Sequence, residues 1–91
     1  MSPSNNKARL PQENEFLRLL GRNARKWREQ KGYTQEEFAP IAGFTRSYIT
    51  EIETGRRNIS FLNFVRIIRF LGVDAQMISD LFREIWESKE K

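Results

Sequence analysis

Ninety-one residues, 38% hydrophobic and 12% aromatic, are enough for one small domain with one core, and a chain of this length is expected to leave no room for a separate effector domain. With no cysteine and no histidine, the chain has no thiolate nucleophile, disulfide framework, imidazole base or ordinary zinc site. The net charge of +4 favours a polyanionic partner.

No apolar run approaches the ~18 residues of a membrane span, and no signal-peptide pattern opens the sequence. The expectation is a cytoplasmic protein without a membrane, cofactor, metal or small-molecule effector. Glu36–Glu37, Glu51–Glu53 and Asp80–Glu84 could be drawn as acid/base pairs. A cap, a core ion pair and an exposed face account for them more simply, so no enzyme is expected.

The charge is unevenly spread. Residues 1–33 carry eight Lys/Arg against three acids, and residues 34–54 carry Arg46 against Glu36, Glu37, Glu51 and Glu53. Residues 55–72 contain Arg56, Arg57, Arg66 and Arg69 and no acid. A basic segment directly after a mixed one has the form of a local phosphate contact. The plainer alternative for Arg66 and Arg69 is a solvated helix face.

In chain order, residues 1–12 hold Ser, Asn and two prolines and predict a flexible arm. A first helix is predicted from about Glu13, with Phe16, Leu17, Leu20, Ala24 and Trp27 on one face and Gly32 closing it. Thr34 and Glu37 form a capping box that opens a second, short helix ended by Gly43. Pro40 lies inside it and predicts a distorted or weakened helix, because proline is tolerated without loss only in the first turn. Thr45 caps a third helix, Arg46 to Thr54, which turns Ile49 and Ile52 inward. Ser60 caps a fourth that runs to Leu71 and is apolar on nearly all sides. Asp74 caps a fifth that runs to about Glu87. No period-two alternation of useful length occurs, so the fold class is all-α, a five-helix bundle.

The second and third helices, separated by three residues, have the spacing of a helix-turn-helix over about residues 35–54. In such a pair the N-terminal residues of the second helix reach base edges in the major groove. Here those are Thr45, Arg46, Ser47, Thr50 and Glu51. Arginine can bond guanine through two donors, Ser and Thr can bond either base type, and Glu can accept from cytosine. Gln35, at the start of the preceding helix, suits a phosphate, as do Arg56, Arg57 and Asn58 after the reading helix.

Further marks fall in one register: Arg28 before Lys31–Gly32, Thr34–Gln35–Glu36–Glu37–Phe38–Ala39, Gly43–Phe44–Thr45, Tyr48–Ile49, Ile52–Glu53, Gly55 and Leu71–Gly72–Val73. From about Leu20 to Gly72 the chain resembles the phage-repressor and Cro class of helix-turn-helix regulators, the XRE family. The resemblance implies a lambda-repressor-like fold over residues 13–73, phosphate binding by Gln35 and base reading around Arg46 and Ser47. It also implies an ion pair between Arg28 and Glu53; the other reading of Arg28 is a phosphate ligand. A narrower resemblance, carried by Thr45–Arg46–Ser47–Tyr48–Ile49 and Arg57–Asn58–Ile59–Ser60, is to the controller proteins of restriction–modification systems. Pro40 departs from the pattern, and a distorted or weakened second helix is expected there.

Tyr48 either meets the sugar–phosphate backbone or packs beside the second helix. Residues 74–91 form a C-terminal helix and charged tail. In that helix Met77, Ile78, Leu81, Phe82, Ile85 and Trp86 make a stripe expected to join two subunits, and the alternative is that all six cap the monomer's core. The expected function is a dimeric regulator that reads double-stranded DNA at a two-fold symmetric operator. The competing class is an antitoxin or adaptor that uses the same fold mainly to bind protein.

Overall fold

The computed structural model describes residues 10–88. It consists of α1 (Pro11–Gln30), α2 (Gln35–Ala42), α3 (Arg46–Glu53), α4 (Phe61–Leu71) and α5 (Ala75–Glu87), with no strand among the described residues. Each helix after the first opens on a side-chain oxygen. Thr34 accepts from the Glu37 amide at 3.0 Å and Thr45 from Tyr48 at 3.1 Å. Ser60 accepts from Asn63 at 3.1 Å and Asp74 from Met77 at 2.8 Å. Each such cap satisfies an amide the helix itself cannot, and each is worth ~1 kcal/mol against alanine.

α1 starts two residues before the expected Glu13, because Pro11 and Gln12 belong to it. Proline suits the first helical position, where its missing N–H would have had no partner in any case. The Glu13 carboxylate then accepts from the Leu10 amide at 3.0 Å, doing part of the work of a cap without a Ser or Thr. The rest of the expected arm, residues 1–9, lies outside the described residues, as do residues 89–91 of the tail.

Pro40 does not break α2, which stays helical from Gln35 to Ala42. Glu36, whose carbonyl would have bonded a residue-40 amide, is exposed, and so is Pro40. The lost bond therefore falls on the water side, while Phe38, Ala39 and Ala42 hold the inner face.

The core gathers Trp27 from α1, Phe38 from α2, Ile49 and Ile52 from α3, Phe64, Ile67 and Leu71 from α4, and Leu81 from α5. Every helix contributes. Full burial of each such side chain is worth ~1.5–3 kcal/mol, which is why short helices hold together here. α1 crosses α3 at Gly21. A Cβ there would overlap the Ile52 carbonyl oxygen and stand 2.7 Å from that of Glu53, so the crossing needs glycine.

α5 is fastened to α1 by polar and apolar contacts. The Asn23 amide, buried in α1, donates to Glu84 at 3.0 Å and to the Leu19 carbonyl at 2.8 Å. Leu81 is 0% exposed, which removes it from the stripe expected to join subunits. Met77 and Ile85 also pack partly against the core. The sequence stripe was wider than either function: its centre fills the monomer, and Phe82 and Trp86 remain outside at 53% and 88% exposure. α4 is divided in the same way. Phe64, Ile67 and Leu71 are buried, while Phe61, Leu62 and Phe70 are exposed.

Candidate nucleic-acid interface

The turn between α2 and α3 closes on Gly43, whose φ of +80° is left-handed backbone that side chains rarely adopt. The Phe44 amide donates to the Ala39 carbonyl at 2.8 Å across this turn. Phe44 and Tyr48 then stack with ring centroids 4.8 Å apart, tying the turn to the first part of α3. With Ile49 and Ile52 2% exposed, the opposite face of α3 is left for other work.

That outer face carries Arg46, Ser47, Thr50 and Glu51. Together with Arg56 from the following connection they line one open depression. Thr45 lies at its N-terminal edge as the cap of α3. Asn58 is exposed further along the connection.

Two cations of this region are already paired. Arg46 pairs with Glu36 of α2 at 3.4 Å, and Arg57 with Glu51 at 3.0 Å. The Arg57 guanidinium also lies over the Tyr48 ring, 5.0 Å from its centroid. Tyr48 is half-buried, and its hydroxyl oxygen accepts from the Asn63 amide of α4 at 2.8 Å. Packing and this bond therefore fix Tyr48 beside α4. Arg66, from the same acid-free segment, stacks over Phe44 at 5.2 Å.

Beneath the face runs a chain of hydrogen bonds. The Thr50 hydroxyl donates to the side-chain oxygen (Oε1) of Gln35 at 3.0 Å, and the Gln35 side-chain amide Nε2 donates to Glu53 at 3.0 Å. Glu53 takes two bonds from the Arg28 guanidinium, at 2.6 and 3.0 Å, and Arg28 reaches the Tyr33 carbonyl at 2.6 Å. The Arg28 and Glu53 side chains are only 8% and 5% exposed. This pair is a structural clamp of α1 on α3, and Arg28 is not at the surface to meet a phosphate. The Glu53 hydrogen bond raises the Arg28 pKa above its ordinary value, overcoming desolvation. Both ends of the Gln35 side-chain amide are therefore engaged within the molecule.

Asn63, Glu36 and Gly21 have roles that sequence reasoning did not assign. Asn63 and Glu36 act on partners 15 and 10 residues away, beyond any local pattern. Gly21 did leave a signal, since a glycine inside a helical pattern carries a stability cost that a close backbone approach explains.

A helix-turn-helix family model matches residues 25–78, more than half of the chain. The control protein C.MunI of a Mycoplasma species is 34% identical over 73 residues, covering 79% of this chain and 95% of the relative. The control protein C.BamHI of Bacillus amyloliquefaciens is 34% identical over 79 residues, 86% of this chain and 96% of the relative. The crystal structure of the restriction–modification controller protein C.AhdI from Aeromonas hydrophila superposes with a TM-score of 0.67 at 30% identity, covering 72% of this chain and 96% of that one. The five-helix all-α fold agrees with this neighbour. The chain belongs to the XRE-type helix-turn-helix family, whose members are DNA-binding transcriptional regulators.

Proposed function

We propose that this regulator binds double-stranded DNA as a homodimer, each subunit setting α3 into a major groove. The observation that carries the reading is the depression lined by Arg46, Ser47, Thr50, Glu51 and Arg56 at the exposed side of α3. These residue types can bond guanine, cytosine and phosphate, and the start of a helix carries positive potential. Thr45 completes the base-reading set. Gln35, Tyr48, Arg56, Arg57 and Asn58 hold the flanking phosphates.

Two subunits read half-sites about one helical turn apart, so the operator has two-fold symmetry. Support for the dimer comes from the apolar surface left on the monomer: Phe82 and Trp86 on α5, with Phe61, Leu62 and Phe70 on α4. The controller proteins among its relatives support a restriction–modification controller role. The relatives are regulators, which supports a role without catalysis. No helix among the described residues is long and apolar enough to cross a membrane, and the working compartment is the cytoplasm, where its DNA would be.

Selection of bound sequences from a random pool, with wild type and Arg46→Ala in parallel, tests the reading. The wild type yields a symmetric site. Arg46→Ala loses about 1–3 kcal/mol on it and relaxes the preference at one base pair of each half. Equal weakening on all DNA, with an unchanged preference, would reduce Arg46 to a phosphate contact.

A further inference from the structure

Three arginines border the outer face of α3, and two of them are held by carboxylates, one from α3 and one from α2. Arg57 is held from two sides, by Glu51 at 3.0 Å and by the Tyr48 ring at 5.0 Å. The ring cannot easily move aside, because it stacks on Phe44 and its hydroxyl oxygen is bonded by Asn63. Arg46 is held by Glu36, which projects from α2 and belongs to neither the base-reading nor the phosphate-binding set. Arg56, by contrast, has no ion-pair partner among the described residues.

A phosphate must compete with a carboxylate for a guanidinium already engaged. We infer that Glu36 and Glu51 are internal competitors of DNA, which set how tightly the protein holds DNA of any sequence by occupying Arg46 and Arg57 when no DNA is present. The inference rests on the DNA-binding reading above and deepens it. Before Arg57 can reach a phosphate, the Glu51 pair must open, and that cost enters every complex alike. At a cognate site the released Glu51 carboxylate regains a partner in a cytosine amino group, whereas on random sequence it does not. Glu51 therefore penalises random DNA more than the cognate site. Glu36, with no base of its own, lowers affinity for both.

The competitor mechanism differs from plain repulsion between a carboxylate and DNA in one measurable respect. A competitor acts only through its arginine, and repulsion acts whether the arginine is there or not. A double-mutant cycle separates the two. The four proteins are wild type, Glu51→Gln, Arg57→Gln and the double variant, each titrated against a random-sequence duplex at several salt concentrations. Both positions lie at the surface, and thermal unfolding checks that each protein is folded.

Glu51→Gln alone should tighten binding about 1.5- to 5-fold, the range equivalent to releasing one exposed ion pair. In the Arg57→Gln background the same exchange should change affinity little. The cycle of Glu36→Gln with Arg46→Gln should behave in the same way. An equal gain in both backgrounds would assign the effect to repulsion and overturn the inference, and no gain in either background would also overturn it. Those results leave the DNA-binding reading standing if the wild type still shows salt-dependent affinity. A wild type without such affinity would overturn both.

Discussion

Along the seam between α1 and α3, backbone meets backbone across Gly21, and the buried guanidinium of Arg28 has a carboxylate and a carbonyl as partners. Across the outer surfaces of α4 and α5, Phe61, Leu62 and Trp86 stand 77%, 75% and 88% exposed. The first region is finished within one chain, and no buried side-chain polar atom there or elsewhere among the described residues lacks a partner. The second is apolar surface that no other described residue covers. The difference separates residues that make the fold from residues that the fold leaves at the surface. The close approach at Gly21 and the buried Arg28–Glu53 pair join α3 to α1 and set how its outer face is presented.

The contrast breaks first at Glu53. Glu53→Ala leaves the Arg28 charge buried without its carboxylate and strips the Gln35 amide of its acceptor, so stability should fall by about 3–5 kcal/mol in denaturant unfolding. A loss below about 1 kcal/mol would mean that water replaces the carboxylate and that the seam is open. Because the Arg28 pKa is raised, its share of the stability is fully present below the unfolded value and is lost only as pH climbs through the higher folded one. The pair should therefore not weaken between neutral and mildly alkaline pH.

Next comes a matched pair on α5. Leu81→Ala should cost about 2–5 kcal/mol of stability, because it opens a cavity in the core. Trp86→Ala should leave the unfolding of the monomer nearly unchanged and weaken self-association, read by sedimentation across a concentration series. An unfolding loss at Trp86 as large as at Leu81 would erase the distinction between core and contact surface.

Gly21→Ala forces α1 away from the last carbonyls of α3. Its cost should reach the upper part of the ~1–3 kcal/mol typical of overpacking, even though alanine is the better helix former. A stabilised variant would show that the two helices can separate without penalty. The smallest effect belongs to the outer face: Arg56→Ala should lower the slope of log K against log salt by about 1 without altering which sequence is preferred. An unchanged slope would place Arg56 outside the footprint.

Much of this architecture was legible because it is written locally. Thr34, Thr45, Ser60 and Asp74 each act on an amide three residues away, so the starts of four helices could be read from short phrases. The start of α1 was misplaced because Pro11 and Glu13 replace the usual hydroxyl cap. Leu81 was placed on the wrong surface for a different reason. Helical periodicity identifies a stripe, but not which part of it a neighbouring helix will cover, and α5 is covered through Leu81 and Asn23–Glu84 contacts about 60 residues apart in sequence. The candidate interface was legible as a set of residue types. The pairing of Arg46 with Glu36 and of Arg57 with Glu51 was not, since each depends on how the turn at Gly43 and the connection after α3 bring side chains together.

The bond from Thr50 to Gln35, and onward through Glu53 to Arg28, has a consequence for how such a protein can change its target. Arg46 and Ser47 are exposed, so exchanges there should cost folding little and, in the proposed reading, would alter the sequence that is read. Thr50 occupies the same face but also supplies a donor to an interior network. Serine keeps that donor, whereas valine removes it and strands the Gln35 carbonyl. If α3 reads bases as proposed, diversification of the recognised sequence is open at its first turn and constrained at its second, where a replacement must still complete the Gln35 bond.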